Sequence, residues 1–382
     1  MKVILLAGGG AKRLVHVMGE ERSRALLRFP KGSLLEKHLM QLKRVVDEVY
    51  VVSDDDQIND VCKKMPECRF VSQTHSGIEG AICNGLNAAY PYDSVEENVT
   101  ILYGDLYYSQ GFIESHLSRI TSSYEPTITV TKPHLLRGQY LRTEVDPISG
   151  IVEALGRGSY IFAGLMTMPV GEIRSSLCKK GETIEAMLHR LARESRLTAI
   201  MWMGEWIDID TPWDYLVAVR LDMSKLSNTY ISQTSKIGRG VVIEGPVYID
   251  DEAQIDHHAV IKGPAYIGPR TLIGAHAFIR NSVAVFDNAI VGAYCEIKRS
   301  IIYSRARIGS HSYIADSLVG KEAKVSPYTI TKNVPYKGVS KEIIIMSTHP
   351  LEGLKVGALI SAKAETKPHQ TLEPATVLNP QA

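Results

Sequence analysis

Apolar positions along this chain follow two different rules, and the rule changes near residue 225. Up to about residue 222, short apolar runs alternate with longer amphipathic stretches. The runs Val3–Ala7, Glu48–Ser53, Thr100–Tyr103, Thr127–Thr131 and Tyr160–Met166 predict strands. Leu34–Val46, Ile78–Tyr90, Phe112–Ser122, Ile184–Arg196 and Trp213–Met223 predict helices. In the first of these, Leu35, Leu39, Leu42 and Val46 keep helical spacing with charges between them. Strands alternating with helices predict an α/β layer fold with a mainly parallel sheet over residues 1–224.

Beyond Ile231 an aliphatic residue recurs every six positions: Ile231, Ile237, Ile243, Ile249, Ile255, Ile261, Ile267, Ile273, Ile279, Val285, Val291 and Ile297. The phase slips there and resumes at Ile302, Ile308 and Ile314, then at Val319 and Val325. A period of six fits neither a helix nor a flat strand. It fits a triangular coil in which each side sends one aliphatic side chain inward and successive turns stack. The hexapeptide pattern predicts a left-handed parallel β-helix over 225–341. Residues 342–382 change character again: Ile343, Ile344 and Ile345 predict a last strand, and the Pro-, Thr- and Gln-rich stretch from Thr366 to Ala382 reads as a loose tail.

Composition narrows the function classes. The 382 residues are 45% hydrophobic and 22% charged, ordinary for a folded protein. With 43 Lys+Arg against 42 Asp+Glu, the net charge is +1, which gives no field for nucleic acid or a membrane surface. No run approaches the ~18 apolar residues of a membrane helix, and Val3–Ala7 is too short for a signal-peptide core. A cytoplasmic protein is expected. The five cysteines (Cys62, Cys68, Cys83, Cys178 and Cys295) form no C-x-x-C pair. That predicts neither a disulfide scaffold nor a zinc site, and a reducing environment.

Three segments carry candidate chemistry. The first is Ala7-Gly8-Gly9-Gly10-Ala11-Lys12-Arg13, a glycine-rich turn leaving a strand and followed by two cations. Its backbone N–H groups can approach phosphates, and the cations can neutralise them. The second is Tyr103-Gly104-Asp105, a carboxylate at the end of an apolar strand, where parallel sheets bind ligands. Such an oxygen donor suits Mg²⁺, although taken alone a single aspartate is better read as a cap on the next helix. The third is Trp206-Ile207-Asp208-Ile209-Asp210-Thr211-Pro212. Two carboxylates share one face of an extended segment, and Thr-Pro then opens a helix; either aspartate could merely support that opening.

In this order, and followed by hexapeptide repeats, these segments resemble the sugar-1-phosphate nucleotidyltransferases that carry a C-terminal left-handed β-helix. The archaeal bifunctional N-acetylglucosamine-1-phosphate uridylyltransferase/glucosamine-1-phosphate acetyltransferase type is the variant most alike, and the likeness covers about residues 1–340. It implies a Rossmann-like nucleotidyltransferase domain that couples a nucleoside triphosphate to a sugar 1-phosphate and releases pyrophosphate. By position it implies Mg²⁺ on Asp105 and Asp208, with Asp210 as substitute, and catalytic cations at Arg13 and Arg24. Ala7, Gly8, Gly9, Gly10, Lys12, Gln73, Gly77 and Gly104 would bind the nucleotide, Gln73 hinting at a pyrimidine base. Glu153 and Gly164 would bind the sugar. The chain departs from the family pattern at Ala11 for a glycine, Arg24 for a lysine, Ile78 for a threonine and Phe162 for an asparagine.

The resemblance also implies a homo-oligomer, a trimer or a multiple of it, built through the β-helix. It implies a second activity there, with acetyl-CoA as donor and His311, Tyr313 and Asn333 as the acetyl-transfer residues. The family's His precedes Tyr by three positions; here Ser310 fills that place and His311 comes one residue late. On a β-strand one step turns a side chain to the other face, so His311 is expected to miss. Two other readings stay open: a noncatalytic homologue that binds sugar nucleotide and an active partner, and an acetyltransferase with a silent nucleotidyl site.

Overall fold

The computed structural model describes residues 2–91, 97–120, 125–132, 140–334 and 355–381. The proposed strand at Ile343–Ile345 lies outside these residues. The chain forms two compact units. The first comprises Met1–Gly10, Ser23–Leu27 and Ser33–Asp208. The second comprises Ala11–Arg22, Arg28–Gly32 and Ile209–Ala382. The break therefore precedes residue 225, because the helix Pro212–Ser224 belongs with the second unit. There the Tyr215 hydroxyl donates to the Arg28 carbonyl.

The first unit is a mixed sheet flanked by helices. Its strands are β1 (Lys2–Leu6), β2 (Glu48–Ser53), β3 (Cys68–Ser72), β4 (Asn98–Tyr103), β5 (Leu106–Tyr108), β6 (Thr127–Thr131), β7 (Arg142–Val145), β8 (Val152–Leu155), β9 (Tyr160–Pro169), β10 (Thr198–Trp202) and β11 (Trp206–Asp208). The main order is β8-β7-β9-β4-β1-β2-β3, with β6 joined to β9 and β10. Pairing is parallel through β4-β1-β2-β3 and antiparallel where β9 meets its neighbours. Val3, Ile4 and Leu5 of β1 are all fully buried, as a strand covered on both faces requires. The helix Leu34–Leu42 starts with a capping box between Ser33 and Glu36 and buries Leu35, Leu39 and Leu42, three of the four residues that predicted it.

Two cysteine pairs are bonded in this unit, Cys62–Cys68 and Cys83–Cys178, which corrects the expectation of free thiols. The first joins the end of the helix Asp56–Cys62 to the start of β3. The second joins the helix Gly77–Ala89 to the segment Arg174–Lys179. Their sequence separations of 6 and 95 carry no recognisable spacing, and only the fold brings their Cα atoms to 5.1 and 5.6 Å.

The second unit is built on the coil that the six-residue period predicts. Three all-parallel sheets of eight, six and seven strands run along it. One carries the register Ile231↔Ile249↔Ile267↔Val285↔Ile302↔Val319, so the slip after Ile297 shortens one corner without breaking the ladder. The inward residues from Ile249 to Ile297 form one continuous core, each at most 2% exposed. The coil then continues where a loose tail was expected. Leu318 and Val319 pair with Leu359 and Ile360, which in turn pair with Val377 and Leu378. Thr371 and Leu372 pair with Ile330 and Thr331.

Candidate active site

Parallel pairing of β4, β1, β2 and β3 sets four strand ends side by side. At ~4.8 Å per strand spacing they span about 14 Å. The loops that leave them carry Gly104-Asp105, Gly8-Gly9-Gly10, Asp54-Asp55 and Gln73 in that order. Ligands of such sheets bind at this edge.

Gly104 sits where a side chain would begin 2.6 Å from the Leu6 carbonyl, to which its own N–H donates at 2.9 Å. Only glycine lets β4 turn this close to β1. Asp105 follows it, half-buried, and ion-pairs with Arg24 at 3.1 Å. Arg24 opens a short helical turn, Arg24–Leu26, capped by the Ser23 hydroxyl. Ser23 in turn donates to the Ala7 carbonyl at 2.5 Å, and its N–H donates to Asp55 at 3.1 Å. Arg24 is thus anchored to the ends of β1 and β2. Ser23 and buried Asp55 are positioning groups that no sequence motif signalled; the run Ser53-Asp54-Asp55-Asp56 after an apolar strand was the only hint.

Asp208 reaches the same region through β11, which pairs antiparallel with β5. In that register Asp208 lies opposite Leu106, the residue after Asp105. His38 fixes β5 from below: its Nε2–H donates to the Leu106 carbonyl at 2.7 Å, and its ring stacks on Tyr108 at 5.0 Å. The structure therefore brings Arg24, Asp105 and Asp208 into one unit on paired or bonded elements. Among the described residues no cluster of three or more His, Cys, Asp or Glu forms a closed metal cage. Two carboxylates completed by substrate phosphates and water are the usual protein contribution for Mg²⁺, and this oxygen donor set fits that ion.

Lys12 and Arg13 lie in the second unit, both exposed, and Arg13 ion-pairs with Asp210. Neither Asp208 nor Asp210 provides the helix start. Thr211 and Asp214 do, through a capping box. Gly77 opens its helix with a left-handed φ of 85°. Glu153 is exposed on β8. Gly164 sits within an irregularity of β9, with Leu106 and Tyr103 against it. Phe162 meets Tyr103 edge-on at 5.7 Å. Burial, and then the charge of Asp105, pushes the Tyr103 phenol above its ordinary range.

On the coil, the Tyr313 hydroxyl donates to Asn333 Oδ1 at 3.4 Å, and Asn333 Nδ2 donates to Asp316 at 2.9 Å. His311 does not join them. It occupies a corner at φ 62°, its ring stacked between Tyr294 and Tyr328 at 5.0 and 4.9 Å.

A Rossmann-like sheet with carboxylates at its ligand edge, joined in sequence to a parallel β-helix, defines the class of sugar-nucleotide-forming transferases. The family described as "MobA-like NTP transferase domain" matches residues 3–165, and "GMPPB C-terminal domain" matches 243–349. The "Bifunctional protein GlmU" of Methanococcus maripaludis strain C7 is 30% identical over 381 residues, covering 96% of this chain and 89% of that protein. Its counterpart in Methanocaldococcus jannaschii is 26% identical with the same coverage. The "Bifunctional sugar-1-phosphate nucleotidylyltransferase/acetyltransferase" of Sulfurisphaera tokodaii is 24% identical over 98% of this chain and 93% of its own length. The chain belongs to this GlmU-type family.

Proposed function

We propose that the chain joins a nucleoside triphosphate to a sugar 1-phosphate. A phosphate oxygen of the sugar 1-phosphate attacks the α-phosphorus. The bond from that phosphorus to the oxygen bridging to the β-phosphate breaks, and pyrophosphate leaves. No covalent enzyme intermediate is needed, so catalysis is positioning plus charge neutralisation. Backbone N–H groups of the turn Gly8-Gly9-Gly10, other than the Gly9 N–H that Asp54 Oδ1 accepts at 3.1 Å, orient the triphosphate. Arg24 spreads positive charge over it, and the Arg24–Asp105 pair keeps both side chains in place before substrate arrives. Asp105 and Asp208 would hold Mg²⁺, which when bound supplies neutralisation of the reacting phosphates. The observation that carries this reading is the Arg24–Asp105 ion pair at the ligand edge of the sheet; the pairing of β11 on β5, with Asp208 opposite Leu106, supports Asp208 as the second carboxylate.

The test is pyrophosphate release from purified protein with Mg²⁺ and a panel of nucleoside triphosphates and sugar 1-phosphates. Asp105→Ala should lower the rate by about 10²-fold or more without changing the unfolding transition. An unaltered rate would refute the role of Asp105.

A second reading gives the coil an acetyl transfer from acetyl-CoA. It is supported by the contact of Tyr313 with Asn333 and by the acetyltransferase named in the Sulfurisphaera relative. The position of His311 in a ring stack counts against it as the base. Absence of thiol release from acetyl-CoA with any amino-sugar 1-phosphate would remove this reading.

A further inference from the structure

We propose that the far end of the coil is a positioning element of the triphosphate site, holding the loop Ala11–Arg22 that carries Lys12 and Arg13. The inference rests on the nucleotidyltransferase reading and adds the coil to it. The loop has little structure of its own. Lys12–Leu14 and Val15–Met18 are helical turns of three and four residues, and no side chain caps either. Helices so short do not persist in isolation. The base of the loop is closed by the Ala11 N–H, which donates to the Arg22 carbonyl at 3.0 Å. Its tip is held by the coil. The Ala362 N–H donates to the His16 carbonyl at 2.6 Å, and the Lys321 N–H donates to the Val17 carbonyl at 2.8 Å. Side chains repeat the contact: His16 Nδ1 lies 3.1 Å from Ser361 Oγ, and Lys321 pairs with Glu20 at 3.3 Å. Ser361 is 1% exposed and donates its own hydrogen to Asn379 Oδ1 at 3.0 Å, so the His16 ring is the donor to Ser361. Gly320 has no room for a side chain against the His16 carbonyl.

Lys321 and Ser361-Ala362 lie on neighbouring turns, brought together by the pairing of Val319 with Ile360. The seat for the loop therefore exists only when the last turns of the coil have formed. Lys12 and Arg13 themselves stay exposed, Arg13 against Asp210. A second coil-held segment follows closely. Arg28 donates from Nη2 to Asp287 at 3.0 Å and from its N–H to the Tyr303 hydroxyl at 3.2 Å. Arg24 sits on the short arch Ser23–Leu27 between these two segments. Both ends of the arch are thus tied to the coil, and two anchored ends restrict what lies between them. Cations held in place before a ligand arrives bind it more tightly than cations that must be ordered on binding. His16, Lys321 and Ser361 act through the loop and are positioning residues.

Two measurements on the full chain test this. One is the affinity for inorganic tripolyphosphate with Mg²⁺, by calorimetry, which needs no choice of base. The other is the rate of trypsin cleavage after Lys12 and Arg13, which reports release of the loop whatever the reaction. Ala362→Leu enlarges the side chain that faces Gly19 and overpacks the seat, while the inward residues Ile360 and Ala364 stay as they are. It should weaken tripolyphosphate about tenfold, as the fraction of molecules with a seated loop falls. Cleavage should speed up by about the same factor, with pyrophosphate release at saturating triphosphate unchanged. His16→Ala and Ser361→Ala remove one contact from its two sides without enlarging anything, and decide alone should Ala362→Leu fail to fold. Each should weaken tripolyphosphate about threefold, and the double variant no more than either single one. His16→Asn, which restores a donor, should recover the loss. Unchanged tripolyphosphate affinity in these variants, or losses that add in the double variant, overturns the role of the coil and leaves nucleotidyl transfer standing. So does an unaltered chain that trypsin cleaves as fast as Ala362→Leu. Failure of the unaltered chain to bind tripolyphosphate overturns the triphosphate site, and with it both readings.

Discussion

Asp316 shows how much one side chain can hold together. Its carboxylate takes both Nε and Nη2 of Arg299, at 2.5 and 2.7 Å, at the corner where the coil loses one residue. The two side chains are only 3% and 14% exposed. Asn333 adds a third donor to the same carboxylate. Removing one partner of such a pair strands the other charge away from water. Asp316→Ala should therefore cost about 3–5 kcal/mol in urea unfolding. Replacing Arg299 and Asp316 together by apolar residues should recover part of that loss. A loss under about 1 kcal/mol for the single change would mean that the pair behaves as a surface ion pair. Arg24 and Asp105 differ in kind. Both are more than a quarter exposed, so their pairing is worth little to stability and is better read as preparation of the site.

Along the coil the repeating unit is a corner as well as a core residue. His258, His276, Tyr294, His311, Tyr328 and His369 all sit at left-handed φ values near 60° on successive turns. Their rings stack with centroids 4.6–5.2 Å apart and planes within 17° of parallel. Tyr294→Ala breaks the stack at its middle and should cost about 0.5–1.5 kcal/mol per ring pair lost. Tyr294→Gly separates packing from backbone strain, because glycine adopts this φ freely. If the glycine variant melts above the unaltered protein, the stack contributes less than the strain it imposes. The core of the coil was legible because every turn must send an aliphatic residue inward at the same phase. The end of the coil was misread for the same reason. Residues 335–354 interrupt the count, so that Leu318 pairs with Leu359 rather than with a residue one turn on. The period itself resumes at Ile360, Thr366, Leu372 and Leu378, with Thr366 only 2% exposed. A buried threonine, hydrogen-bonded to Ser326 and Thr329, hid the restart from a search for aliphatic residues.

Across the whole molecule, the parts of the candidate site that the sequence offers are those lying within one short segment: the glycine turn, Gly104-Asp105 and the Asp208 strand. Asp54, Asp55, Ser23 and His38 are not legible there, because strand order alone brings them to the site. The same long-range packing sets how stability responds to acid. His116 is buried between the hydroxyls of Thr129 and Thr167, at 2.8 and 2.9 Å. Burial lowers its pKa to about 3. His38 is lowered to about 4, chiefly by burial, against the opposing bond to Leu106; its Nδ1 has no partner among the described residues. Both rings therefore stay neutral in the folded chain while they protonate near pH 6.5 in the unfolded one. Between those values the unfolded state binds more protons, so their contribution is complete above about pH 6.5 and is lost as pH falls toward 4 and then 3. From pH 7 to pH 5 each should remove about 2 kcal/mol. Urea midpoints at the two pH values measure it, and His116→Gln should flatten the slope while lowering stability at pH 7. An equal midpoint at pH 7 and pH 5 would mean that these rings protonate inside the fold. In that event His38 could no longer be held as the neutral donor that keeps Leu106, and with it the Asp105 and Asp208 strands, in register.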